Sequence, residues 1–165
     1  MIPWHSLSLF FHLLAIALWL GGIVFFLVVV GPAAHELEPA LAIKTLNQSR
    51  IGLESVSWIA IAVLLLTGII NLILRLQPDA PAPADSYIVL LSTKLFLFGA
   101  MAMHHGLQVF KYGPRISALT AELRPNISEW PEELLRYWRR WFLLLKINAA
   151  LGPLAVLLGL SLRTG

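Results

Sequence analysis

From Ser55 to Leu74 the chain runs without a single charged side chain. A helix needs about 20 apolar residues to cross a hydrocarbon core of about 30 Å, and this run supplies them. Three further runs have the same character. Ser6 to Val30 contains one ionisable group, His12. Ser86 to Phe110 is interrupted by Lys94, and Trp141 to Leu162 by Lys146. With no water in the core to satisfy backbone N–H and C=O groups, such runs cross as helices. The expected fold is an all-α integral membrane protein, a four-transmembrane-helix bundle. It forms a single domain over residues 1–165, with spans at about 6–30, 53–76, 86–110 and 139–162.

Composition excludes the soluble alternative. Hydrophobic residues make up 58% and charged residues 13%, against about 25% charged in ordinary globular chains. The net charge of +3 comes from cations placed between the spans, so it reads as topology and no nucleic-acid partner is expected. The first run lacks the basic start of a cleaved signal and is too long for one, so it reads as a span. No cysteine is present, which removes disulfides and thiolate metal sites.

The positions of the cations predict orientation. Lys44, Arg50, Lys111, Arg115, Arg124, Arg136, Arg139 and Arg140 lie between spans one and two or three and four, whereas Arg75 and Arg163 lie on the other side. This bias places both termini away from the cytoplasm, in a bacterial inner membrane. Pro78, Pro81 and Pro83 make the second connection short and stiff, and Pro153 is expected to kink the fourth span. The third connection is long. Ile116, Leu119 and Leu123 recur at helical spacing, and Pro131-Glu132-Glu133 opens a second amphipathic stretch with Trp138 and Trp141. Both read as short amphipathic interfacial helices, with the tryptophans in an aromatic belt. No internal repeat is evident.

Polar side chains within the spans are expensive and mark function. By depth they fall into two sets. His12, Lys94 and Asn71, with Thr67, lie toward the terminal side, and His5 sits two turns further out on the face of His12. His104, His105, Lys146 and Asn148 lie toward the basic loops, with Ser57 and Glu54 nearby and Met101 one turn before the histidines. Since adjacent residues differ by about 100°, only one of His104 and His105 is expected to face the bundle. Imidazole and thioether suit Cu(I), which makes His5, His12, Met101, His104 and His105 candidate metal ligands. His12, Trp19, Lys94 and Asn71 are the candidate cofactor-binding set, with haem b as the alternative ligand. His12 and His104 differ by about 18 Å in depth at the helical rise, which argues against both binding one haem iron.

The stretch HLLAIALWLGGIVFFLVVVGPAAHE, from His12 through Trp19-Leu20-Gly21-Gly22 to Pro32, resembles the opening helix of the CopD-type copper-resistance membrane proteins. It is similar, more distantly, to HemJ-type protoporphyrinogen oxidases, which share the histidine-to-tryptophan spacing. Lys94-Leu95-Phe96-Leu97 followed by His104-His105 resembles the lysine helix of both groups. Phe26, Leu27 and Val28 stand where the HemJ pattern has a Pro-Arg pair. The CopD resemblance implies copper handling in the membrane, with uptake toward the cytoplasm as one direction. The alternatives are a haem or porphyrin redox protein and a non-catalytic subunit of a larger membrane complex. The lipid bilayer is the expected partner, with a homodimer or larger assembly as a further one. No soluble-enzyme motif is present, so any catalysis would be membrane oxidoreduction and no catalytic residue is assigned.

Overall fold

The computed structural model describes residues 4–76, 85–124 and 127–164, with residues 163 and 164 as backbone only. Pro78, Pro81 and Pro83 lie outside the described residues. Among the described residues every regular element is helical, and four helical rods are long and apolar enough to cross a membrane: Trp4–His35, Pro39–Arg75, Asp85–Ala121 and Glu132–Leu162.

The first rod is α1 (Trp4–Phe25), a π-helical turn π1 (Phe26–Val30) and α2 (Gly31–His35); the second is α3 (Pro39–Arg75). The third is α4 (Asp85–Leu107), π2 (Gln108–Tyr112) and α5 (Gly113–Ala121); the fourth is α6 (Glu132–Thr164). The cause of each π turn is legible locally. Pro32 and Pro114 have no N–H, and in an α register their rings would strike the carbonyl four residues back. The turn before each proline widens instead, and the N–H of Gly31 bonds to the carbonyl of Phe26 as that of Gly113 bonds to Gln108. The rods therefore continue where the sequence suggests a break.

The rods outrun the apolar runs at the basic end. At 37 residues, α3 is about 55 Å long against a core of about 30 Å. It begins on Pro39, after an extended Glu38, an arrangement suited to a helix start. Lys44 and Arg50 are consequently helical rather than loop residues. The two amphipathic stretches expected as separate interfacial helices belong to the spans: α5 prolongs α4 through π2, and residues 132–141 are the opening turns of α6. Their apolar faces pack inward, with Ile116, Leu134, Trp138 and Trp141 all buried. The tryptophans thus form part of the core and not a lipid-facing belt. α6 stays helical through Pro153.

Packing is strongest within two hairpins, α1 with α3 and α4 with α6. These hairpins share one plan. Phe26, Gly31 and Pro32 correspond to Gln108, Gly113 and Pro114 at a constant offset of 82 residues. Along the return helices the offset is 91: Ile43 corresponds to Leu134, Arg50 to Trp141 and Ser57 to Asn148, each buried in both copies. The two offsets together match His12 on Gly68 with Lys94 on Gly159. The structure therefore contains a repeat that the sequence hides. The hairpins run in the same direction and meet where Gly152 of α6 receives the Leu20 side chain of α1, and where Trp19 stands edge-on to Phe98.

Candidate functional site

α1 and α3 build the set of polar groups near the terminal end. His12 Nδ1 lies 2.7 Å from Thr67 Oγ1. The Thr67 hydroxyl donates its own hydrogen to the Val63 carbonyl at 2.6 Å. Its oxygen can then only accept from the imidazole, so His12 carries its proton on Nδ1 and leaves the Nε2 lone pair free. Ser8 Oγ donates to the Thr67 carbonyl at 3.4 Å. The ring packs over Gly68, where an added Cβ would stand 3.9 Å from Cε1. Asn71, one turn beyond Thr67, has a buried Oδ1 with no hydrogen-bond partner.

Lys94 is half-buried on α4. Its Nζ stands 3.2 Å from the position of a Cβ on Gly159, and it makes no hydrogen bond or ion pair among the described residues. By the repeat it occupies in the second hairpin the position that His12 occupies in the first. His5 is exposed and makes no hydrogen bond or ion pair among the described residues. Of the terminal-side grouping expected from depth, the structure joins His12 to Thr67 by a hydrogen bond.

The basic-end grouping divides. His104 turns to α6, where its Nδ1 donates to Asn148 Oδ1 at 3.1 Å while Asn148 Nδ2 donates to the Met101 carbonyl at 3.1 Å. His105 turns to the other hairpin. It stands edge-on to Trp58 with ring centroids 5.2 Å apart and to Trp19 at 6.5 Å. Both histidines therefore face protein. A 100° difference is enough to address two neighbouring helices, so the expectation of one outward histidine does not hold. Lys146 is exposed and takes no part. His105 Nε2 and Trp19 Nε1 are buried without partners, and each such orphan costs about 1–3 kcal/mol.

Sequence reasoning missed a third group. Arg50 Nη1 bonds both carboxylate oxygens of Glu54 at 2.7 Å. Arg50 Nη2 reaches Asn47 Oδ1 at 2.8 Å and Ser117 Oγ at 2.7 Å. Trp141 Nε1 donates to Glu54 Oε1 at 3.0 Å, and Gln108 Nε2 donates to the Trp141 carbonyl at 3.0 Å. The i,i+4 pairing of Arg50 with Glu54 was the available signal; counting Arg50 as a loop cation concealed it. This network ties α3, π2, α5 and α6 together and closes the basic end of the bundle.

A similarity to one curated protein bears on these groups. That protein is Copper resistance protein D of Pseudomonas syringae pv. tomato. The two are 29% identical over 99 residues, which cover 59% of this chain and 31% of the copper resistance protein. The aligned part is thus about a third of that protein's length, and the relation is distant. No family model matches the chain, and no solved structure matches it.

The donor set can be weighed against this relation. Among the described residues no three His, Cys, Asp or Glu side chains converge where a metal ion would touch all of them. What the chain offers is imidazole and thioether, the donors that suit Cu(I). The histidines do not face one another across a common centre: His12 is held on Thr67, His104 on Asn148, and His105 lies between Trp19 and Trp58. Axial ligation of one haem by two of them finds no support in this arrangement.

Proposed function

We propose that this chain is a membrane copper-handling protein and that His12 binds Cu(I) through Nε2. The observation that carries the reading is the His12–Thr67 hydrogen bond. A metal-binding imidazole typically donates its other N–H to a protein oxygen, which fixes the tautomer and raises the basicity of the ligating nitrogen. Thr67 does this at 2.7 Å, with its own hydroxyl fixed by Val63. The distant relation to Copper resistance protein D, and four apolar runs that hold no Asp or Glu, favour a soft monovalent ion over a hard divalent one.

Equilibrium titration of the detergent-purified protein with Cu(I), against a chromophoric competitor under anaerobic conditions, tests the reading. His12→Ala should abolish binding at this position. Thr67→Val, which keeps the imidazole and removes its orienting acceptor, should weaken binding by about 10–100-fold. Lys94→Gln should tighten it several-fold, because an ammonium at the depth of the ring opposes a bound cation. A wild-type chain that takes up no Cu(I), or a His12→Ala variant that binds as wild type does, overturns the proposal.

A further inference from the structure

We propose a second Cu(I) site at the interface of the two hairpins, with His105 Nε2 and Met101 Sδ as ligands and the indole rings of buried Trp19 and of exposed Trp58 beside it. This rests on the copper reading above and assigns an inner station for the same ion. Met101 and His105 are one turn apart on one face of α4, and both are almost wholly buried, at 2% and 3% exposure. His105 Nε2 has no hydrogen-bond partner. The Glu54 backbone and the Gln108 side chain also neighbour the ring, and a buried imidazole nitrogen left without a hydrogen bond is a position that a ligand can fill.

The surroundings select the class of ion. A thioether and an imidazole are soft donors, and Cu(I) takes few ligands of that kind. Trp19 and Trp58 both contact the imidazole edge to face, and the face of an indole attracts a cation. The carboxylate of neighbouring Glu54 is already bonded to Arg50 and Trp141. Monovalent charge is therefore tolerated where divalent charge would not be neutralised.

The repeat supports the same position. Trp19 of the first hairpin corresponds to Met101 of the second, and Ile23 to His105, at the offset of 82 residues fixed by the two π turns. The cage thus lies on the seam between the repeats, on its basic-loop side, and repeat interfaces are where repeat-built membrane proteins place their ligands. One copy keeps apolar groups there, and the other supplies the donors.

Tryptophan emission separates this site from the His12 site. Cu(I) added anaerobically to the full chain in detergent should quench it. His105→Phe, which keeps an aromatic ring, should abolish the quenching while His12-dependent copper uptake persists, which also shows that the variant folds. Met101→Leu conserves volume and should shift the quenching to several-fold higher Cu(I); it carries the test if His105→Phe does not fold. His12→Ala should leave the quenching in place. Quenching that survives both His105→Phe and Met101→Leu overturns the cage while leaving the copper reading intact. Absence of Cu(I) uptake in the wild-type chain removes both.

Discussion

Arg50 illustrates how a single side chain changes meaning between chain and fold. It is buried to 2% exposure, and its guanidinium is spent on Glu54, Asn47 and Ser117. Removing one partner of such a pair strands the other charge, at a cost of about 3–5 kcal/mol. Arg50→Met and Glu54→Leu should each lower the melting point of the detergent-solubilised protein sharply, and the double variant should recover most of the loss. Gly113 beneath it has no room to grow: an added Cβ would stand 2.7 Å from Arg50 Nη1 and 3.2 Å from the Gln108 carbonyl. Gly113→Ala should therefore be destabilising, whereas Gly21→Ala, with nothing within 4 Å, should be neutral; thermal melts of the two compare them directly. The pairing of Arg50 with Glu54 was readable at i,i+4 spacing. Its bond to Ser117, 67 residues away, was not, because no local pattern links a helix face to a partner beyond an intervening helix. His12 and Thr67 were legible as neighbours in depth, but the proton position on the imidazole needed the Val63 carbonyl.

The elements carry a second lesson, centred on the π turns. Gly31-Pro32 and Gly113-Pro114 are plain in the sequence, and a proline after an apolar run ordinarily signals an end. Here the chain keeps its helical path by placing one more residue in the preceding turn, which clears the carbonyl that the proline ring would strike. The interfacial helix expected around Ile116 is thereby fused to the third span. If the wide turn exists to accommodate the proline, the two must depend on each other. Deleting exposed Lys111 from π2 should restore an ordinary turn and expose the clash, costing about 3 kcal/mol. Adding Pro114→Ala should recover much of that loss, while Pro114→Ala alone should change stability little. The melting temperatures of the three variants decide it: equal destabilisation by the deletion with and without Pro114 would show that the turn has another cause.

At the scale of the whole molecule the four spans reduce to one hairpin built twice. The number, order and approximate place of the spans were legible because each apolar run exceeds the bilayer requirement. The repeat was not, for two physical reasons. Its offset changes from 82 to 91 residues between the outgoing and returning helices, so no single register aligns the halves. Its equivalent positions also differ in chemistry: His12 faces Lys94 in the correspondence, Arg50 faces Trp141, and Ile23 faces His105. Burial is shared where residue type is not. A parallel repeat of even span number puts both termini at one end, with the Arg50 network at the other. The cations of that end, counted over Lys44, Arg50, Lys111, Arg115, Arg124, Arg136, Arg139 and Arg140, outnumber Arg75 and Arg163 of the terminal end. We expect the richer end to face the cytoplasm. The chain has no cysteine, so one introduced thiol reports its own location. Ser86→Cys lies at the start of α4 and Ser128→Cys just before α6, and both positions are exposed. A membrane-impermeant maleimide applied to intact spheroplasts should label Ser86→Cys at once and Ser128→Cys only after lysis. The opposite order would invert the protein in the membrane, and with it the direction from the His12 site to the inner cage.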